Sequence, residues 1–347
     1  MKTLRVLSLF TGAGGLDLGF LLANNPNFKF KVVWANDNFK PAVDTLRQNK
    51  KYFDDDTIVD SNDIWKIDFN KIPDCDVILA GFPCQDFSVL SKRRGINVER
   101  GQLYTRVVDA LRIKKPLFFV AENVRGLMSA NKGKAIKIIH DELEHSDGVE
   151  YVVKQGVVNF ADYGVPQVRK RVVFVGFRKD LGIDDYEFPE GKFKNNHRTV
   201  EWAFNNPIDV RKVKLNNEKH KIKERTIKIL SAIPPGGNYK NLEGKLDEKG
   251  KSLYVKGLMS NIYRRLDPTK PAYTVIACGG GGTWIYHPEE PRPLTNRERA
   301  RLQTFPDDFE FAGRIGEIRT LIGNAVPPFG AKIIAESIFE HLVRANV

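Results

Sequence analysis

The 347-residue chain has little cysteine: Cys75, Cys84 and Cys278 are its only three, and none belongs to a C-x-x-C pair. Three thiols cannot build a disulfide framework, and a structural zinc site is not expected without paired spacing; a reducing cytoplasm fits. No His, Cys, Asp or Glu cluster has metal-ligand spacing, so no metal is expected. Long apolar runs are also missing; none approaches the ~20 residues of a membrane span. The first ten residues, MKTLRVLSLF, are too short an apolar stretch for a signal peptide, and Thr11 and Gly12 follow where a small-residue cleavage site would stand. The expected setting is the cytoplasm, with no membrane partner. Acidic residues are outnumbered, 43 against 55 Lys and Arg, for a formal charge of +12 and a pI near 9.4. With 41% hydrophobic and 28% charged residues, the chain is globular, not disordered. A positive excess often meets nucleic acid, but it equally serves solubility, so charge alone leaves both readings open.

Along the chain, short apolar runs alternate with helical patterns. Leu4 to Phe10 leads into a glycine-rich turn and a helical pattern from Leu16 to Ala23. Val32 to Ala35, Asp76 to Ala80 and Leu117 to Ala121 are further strand-like runs, and Tyr151 to Val158 and Arg171 to Phe177 form a later strand pair. This alternation predicts an α/β fold with a mostly parallel sheet, in which ligands bind beyond the carboxyl ends of the strands. From about residue 186 the alternation stops and Lys, Asn, Gly and Pro take over; the stretch to 290 carries about +7 of the net charge. Helical patterns return from Leu294 to Arg301 and from about Phe329 to Val343. The expected domains are 1–185, an inserted small basic domain over 186–290, and a return to the first over 291–347. No internal repeat is present.

Four motifs lie at predicted strand ends. Phe10-Thr-Gly12-Ala-Gly14-Gly15 follows the first strand, where glycines allow a tight turn and close backbone approach to a ligand. Asp37 stands at the end of the second strand, placed for ribose hydroxyls. A dinucleotide fingerprint would have glycine at position 17, where this chain has Asp17; a nucleoside ligand without a pyrophosphate suits the pattern better. Gly81-Phe-Pro83-Cys84-Gln85-Asp86-Phe-Ser88 places a cysteine at a strand's carboxyl end behind a rigid proline, a candidate nucleophile if its thiolate is favoured. A buried inert thiol is the competing reading, and Cys75 and Cys278 are left with it. Glu122-Asn123-Val124 puts a carboxylate at the same edge, a candidate general acid if burial raises its pKa, or else a loop carboxylate. In Gln167-Val-Arg169-Lys-Arg171, strand alternation would point Gln167, Arg169 and Arg171 to one face, for phosphate or carbonyl binding or as a solvated edge.

In this order the four motifs resemble those of the C5-cytosine-specific DNA methyltransferase family. Arg292-Pro-Leu-Thr-Asn-Arg-Glu298 through Asp307 and Gly323-Asn324-Ala-Val326-Pro327 are similar to the family's last two motifs, and Thr274-Val275 to its threonine–hydrophobic pair. The resemblance implies a Rossmann-like methyltransferase fold with a small, irregular target-recognition domain inserted. It implies that Cys84 attacks C6 of cytosine, making C5 nucleophilic toward the methyl group of S-adenosylmethionine, which leaves as S-adenosylhomocysteine. Glu122 would hold N3 and the exocyclic amine, Arg171 the cytosine carbonyl oxygen, and Arg169 would orient Glu122 or a phosphate. The donor would be held by Phe10, Gly12, Ala13, Gly14, Gly15, Asp37, Asn38, Asp63, Ile64, Pro83, Leu103 and Asn324.

A base inside a duplex is out of reach of Cys84, so the target must be flipped out. Residues 89–102 resemble the family's mobile catalytic loop; Lys92, Arg93 and Arg94 are expected at phosphates, or else form a solvated basic loop. Gln85 and Ser88 beside Cys84, and Tyr263, Arg264, Arg265 and Thr274 further on, are the other expected DNA contacts. The expected partner is double-stranded DNA bound by a monomer, in a bacterial setting with a cognate restriction endonuclease that is paired in function but not bound. Competing readings are a tRNA cytosine-5 methyltransferase, an inactive DNA-binding homologue and, more remotely, a nicotinamide oxidoreductase. The long basic insert favours duplex DNA over RNA, and the joint presence of Cys84, Glu122 and Arg171 argues against an inactive binder.

Overall fold

The computed structural model describes residues 1–83, 103–255, 260–277 and 282–347. These form two compact units: Met1–Phe160 with Lys170–Glu190 and Val326–Val347, and Ala161–Arg169 with Gly191–Ala325. The strands are β1 (Lys2–Leu9), β2 (Phe28–Asn36), β3 (Ile58–Asp60), β4 (Val77–Ala80), β5 (Phe118–Val124), β6 (Tyr151–Asn159), β7 (Gln167–Val168), β8 (Lys170–Arg178) and β9 (Ala272–Tyr273). The α-helices are α1 (Gly15–Leu21), α2 (Lys40–Gln48), α3 (Leu103–Lys114), α4 (Lys134–Glu144), α5 (Val200–Asn205), α6 (Glu224–Ser231), α7 (Asn296–Leu302), α8 (Ile315–Asn324) and α9 (Pro328–Arg344). Among the described residues no helix is long and apolar enough to cross a membrane.

The first unit is a seven-stranded sheet in the order β3-β2-β1-β4-β5-β8-β6. Strands β3 through β5 run parallel, and β8 enters antiparallel between β5 and β6. The central strands read as nearly unbroken apolar runs because both sheet faces are covered. Leu7, Leu9, Ile78, Ala80, Phe119, Ala121, Val172 and Phe174 share one core with Val107 and Leu111 of α3 and Ile136 and Ile139 of α4. On the other side, Phe339 of α9 stacks on Phe28 and Phe30 of β2, with centroids 5.7 and 4.7 Å apart.

α1 and α9 cross at Gly19. A Cβ there would stand 2.4 Å from the Ala331 Cβ and 2.5 Å from the Pro328 carbonyl oxygen. Gly19→Ala must therefore push the helices apart, at an expected cost of about 1–3 kcal/mol. The check is the denaturant midpoint at unchanged m-value; a midpoint that stays put would show that the helix pair yields freely.

From β1 the chain moves outward to β2 and β3, then returns to β4 on the other side of β1. This reversal opens a crevice at the carboxyl ends of β1 and β4, the place where open sheets of this type bind ligands. The glycine-rich turn follows β1, and the turn at Phe82 and Pro83 follows β4, so topology brings together two motifs about 70 residues apart.

The second unit is mostly irregular. It has one small parallel pair, β7 with β9, and an apolar cluster of Ile229, Ile233, Tyr239, Leu242 and Leu253. Buried arginines organise much of the remainder. Arg297 donates to the carbonyls of Leu215, Pro306 and Phe309 at 2.9, 2.9 and 2.7 Å. Arg301 donates to the Asn206 and Ile208 carbonyls and pairs with Asp307. These bonds hold α7 and its flanking loops within the second unit, and Val326–Val347 belong to the first. Residues 161–169 also belong to the second unit, between two strands of the first. Sequence texture does not mark that excursion.

Candidate active site

Beyond β1 the backbone turns through the left-handed region at Phe10 (φ 55°), Gly12 (φ 57°) and Gly14 (φ 72°). Glycine adopts that conformation without penalty, whereas a phenylalanine there stores strain of about 1–3 kcal/mol. Such strain persists where surroundings over-determine the backbone, and it collects at ligand sites. A Cβ on Gly12 would meet nothing within 4 Å, so its backbone faces open space. Thr11 N donates to the Asn36 carbonyl at 3.0 Å, tying the turn to the end of β2. Ala13 and Gly15 are buried beneath it.

Asp37 closes the same turn. Its Oδ2 accepts from Gly12 N at 2.8 Å and its Oδ1 from Phe39 N at 2.9 Å. Burial pushes its carboxyl pKa up, opposed by these two backbone donors. Each carboxylate oxygen keeps lone-pair capacity for a further donor such as a sugar hydroxyl. Asn38 is exposed beside it. Asp63 caps a short 3₁₀ turn by accepting from Trp65 N at 3.1 Å, and that turn carries the buried Ile64. Leu103, half-buried, starts α3, and Pro83 is exposed. Asn324 is the exposed last residue of α8, in the second unit. An open left-handed turn, an adjacent carboxylate and a capped apolar turn fit a nucleoside-bearing ligand.

Cys84 directly follows Pro83 in sequence. It lies outside the described residues, as do Gln85, Ser88, Lys92, Arg93, Arg94 and Cys278. The segment just before it is well anchored. The buried Asn123 side chain donates through Nδ2 to the Phe82 carbonyl at 3.0 Å, and its Oδ1 accepts from Val124 N. Asn123 thus joins the turn after β4 to the end of β5. Sequence alone does not signal this role, because the bond spans 41 residues.

Glu122 and Arg171 form an ion pair at the carboxyl end of β5, with 2.9 Å between Oε1 and Nε. Register explains the meeting. Glu122 lies opposite Val173 and Val124 opposite Arg171, so the pair occupies diagonal positions on one face. Their side chains are only 10% and 13% exposed, which removes much of the solvent screening a surface pair would suffer. A carboxyl beside a guanidinium at such an edge can bind a heterocycle that offers an amine and a carbonyl together.

Several expected contacts have other roles. Gln167, Arg169 and Arg171 do not share one strand: the first two belong to the second unit, and Arg171 is the second residue of β8 in the first. Arg169 is fully buried, with Nη1 donating to the Val275 carbonyl at 3.2 Å and Nη2 to the Gly323 carbonyl at 3.0 Å. It braces the backbone next to Asn324. Arg265 is likewise buried, donating to the carbonyls of Leu230, Ile233, His287 and Pro288. The unpaired carbonyls of tight turns need donors, and one guanidinium can serve several. Tyr263 and Arg264 are half-buried; the Arg264 guanidinium sits 4.4 Å from the Tyr273 ring centroid. Thr274 donates from Oγ1 to the Val168 carbonyl at 2.8 Å.

Comparison with known proteins gives a consistent result. The family described as C-5 cytosine-specific DNA methylase matches residues 4–340. "Type II methyltransferase M.NgoFVII" of Neisseria gonorrhoeae is 47% identical over 340 residues, covering 96% of this chain and 86% of that protein. "Type II methyltransferase M.BbvI" of Brevibacillus brevis is 41% identical, covering 97% and 91%. The solved structure of a putative DNA modification methyltransferase encoded within an E. coli prophage superposes with a TM-score of 0.70 at 24% identity, over 98% of this chain and 99% of that one. That likeness bears on the fold alone.

Proposed function

The chain belongs to the C-5 cytosine-specific DNA methylase family and is a DNA (cytosine-5-)-methyltransferase; from that premise we propose that Cys84, Glu122 and Arg171 carry its chemistry. The observation that supports this reading most directly is the buried Glu122–Arg171 pair beside the turn that leads to Cys84. Cytosine C5 is a poor nucleophile. The Cys84 thiolate bonds to C6, and the ring electrons move toward N3 and C5. Glu122 holds N3 and the exocyclic amine and supplies the proton at N3 as charge builds there. Arg171 binds the carbonyl oxygen. S-adenosylmethionine, when bound, supplies the electrophilic methyl group. Loss of the C5 proton to a base and departure of Cys84 from C6 then restore the aromatic ring and the free thiolate.

The glycine turn, Asp37, Asp63 and Ile64 are read as the seat of the donor's adenosine, with Pro83 and Leu103 around its methionine part. The target base is flipped out, at a cost of a few kcal/mol offset by contacts in the pocket. The named relatives are Type II methyltransferases, and we read this chain as a monomeric modification enzyme of that kind. It would protect a short duplex site from an endonuclease paired with it in function only. The second unit is read as the target-recognition domain.

The test supplies S-adenosylmethionine labelled in the methyl group with duplex DNA or tRNA. Label is expected in DNA, and bisulfite sequencing then locates the methylated cytosine. Label confined to tRNA would reject the DNA substrate; binding without label would reject catalysis. Salt dependence supplies a second prediction. The second unit's lysines at 212, 214, 221 and 223 are exposed, while its arginines at 169, 265, 297 and 301 are buried. This exposed run, which also holds Arg211 and Arg225, is therefore read as supplying its phosphate contacts. Log affinity should fall with log salt at a slope of about −0.9 per contact, and Lys→Ala changes in this run should each lower the slope by about 1. An unchanged slope would remove these lysines from the interface.

A further inference from the structure

Parallel strands are most often joined through an α-helix. Between β3 and β4 the chain instead runs through two 3₁₀ turns, Ile64–Lys66 and Phe69–Lys71. Hydrogen-bond geometry is poor in turns this short, and the bond from Ile67 N to the Ile64 carbonyl is long, at 3.3 Å. Such a segment needs bracing from outside, and Arg106 of α3 supplies it. Its Nε donates to the Ile64 carbonyl at 3.2 Å and its Nη2 to the Ile67 carbonyl at 2.7 Å. Its guanidinium also lies 4.6 Å from the Phe69 ring centroid and 5.7 Å from that of Trp65. One side chain, 42 residues from Ile64 in sequence, thus meets four positions of the segment.

The brace is itself held. Arg106 Nη1 donates to Asp109 at 2.6 Å, and the arginine side chain is 14% exposed. The planar guanidinium therefore has a fixed orientation, with each of its three nitrogens bonded to a different group. The main chain it fixes is the part that presents Asp63, the cap of the first turn, and Ile64, its first residue. A carboxylate and an apolar side chain can grip a flat heterocycle only while the backbone carrying them stays in place, and a shift of about 1 Å is enough to forfeit the fit.

We propose that Arg106 is a positioning residue for the methyl donor, acting through the main chain of Ile64 and Ile67 to hold Asp63 and Ile64 in register with the adenine end. The proposal rests on the reading of those two residues as part of the adenosine seat. It places the effect in donor affinity and not in the methyl-transfer step.

The test uses two ligands that share the thioadenosine part, S-adenosylhomocysteine and 5′-methylthioadenosine, which lacks the amino-acid end. A second brace on the same helix is the control: Lys114 Nζ, at the other end of α3, donates to the Ile72 carbonyl at 2.7 Å and to Asp74 at 3.1 Å. By calorimetric titration, Arg106→Ala is expected to weaken both ligands alike by about 10-fold. The KM for S-adenosylmethionine should rise by a similar factor, with kcat at saturating donor within about 3-fold of wild type. Lys114→Ala should leave both affinities within about 2-fold of wild type. Arg106→Lys keeps the charge but offers a single ammonium in place of the planar fork; it should fall between wild type and alanine, and it carries the comparison should the alanine variant fail to fold. Unchanged affinities in the Arg106 variants, a loss confined to S-adenosylhomocysteine, or an equal loss in Lys114→Ala would overturn the positioning role while the donor reading stands. Wild-type protein that binds neither ligand would overturn both.

Discussion

Cys84→Ser should lower methyl transfer to duplex DNA by about 10⁴-fold or more and leave S-adenosylhomocysteine binding near wild type. A thiol has an ordinary pKa near 8.5 and yields some thiolate at neutral pH, whereas a serine hydroxyl yields almost no alkoxide. Serine is close to cysteine in size but lacks the group that must add to C6. The other described cysteine is no substitute: Cys75 is buried, and desolvation pushes its thiol up to about 12. A duplex carrying 5-fluorocytosine gives the sharpest readout. Fluorine cannot leave C5 as the proton does, so after methyl transfer the thioether to C6 cannot be released. Wild-type protein with the donor should form an adduct that survives denaturation, and Cys84→Ser should form none. An adduct in the variant, or mapped to another cysteine, would move the nucleophile elsewhere.

The second large effect is expected at Glu122. Glu122→Gln retains the size and much of the hydrogen bonding of the side chain but cannot deliver a proton to N3. The loss of acid–base assistance should slow the single-turnover rate by ~10²–10⁴ while duplex affinity changes little. The same change leaves the Arg171 guanidinium, 13% exposed, facing a neutral amide in place of a carboxylate 2.9 Å away. The variant should therefore also be less stable, because a partly buried cation has lost its countercharge. Rate and stability are separated by measuring the single-turnover rate well below the denaturation midpoint of the variant, where the folded fraction is complete. If proton delivery is the function of Glu122, the Glu122→Gln rate should rise as the pH falls less steeply than that of wild type. Single-turnover rates within tenfold of wild type would show that Glu122 only shapes the pocket.

Much of the fold could be read directly from residue order. Strands covered on both faces must be apolar at successive positions, so Val77–Ala80 and Phe118–Ala121 stand out, and the residues that follow them fall at the ligand-binding edge. That reasoning places Phe10, Asp37 and Glu122 at strand ends, where the structure has them. The carboxylate at position 122 and the guanidinium at 171 were each visible, but not their contact. That depends on β8 inserting antiparallel beside β5, which nothing local encodes.

The amino-acid sequence by itself determined the family, the layered sheet and the residue types available for the chemistry, because burial patterns and short motifs are local properties. Only the tertiary structure decided which charged and polar groups are already occupied. Arg169 and Arg265 carry the same guanidinium as Arg171, yet they are bonded to main-chain carbonyls far away in sequence. Asn123 bonds the Phe82 carbonyl across 41 residues. The physical reason is that a hydrogen bond or a desolvated charge depends on what lies within a few ångströms, and distant segments set that neighbourhood only when they pack together.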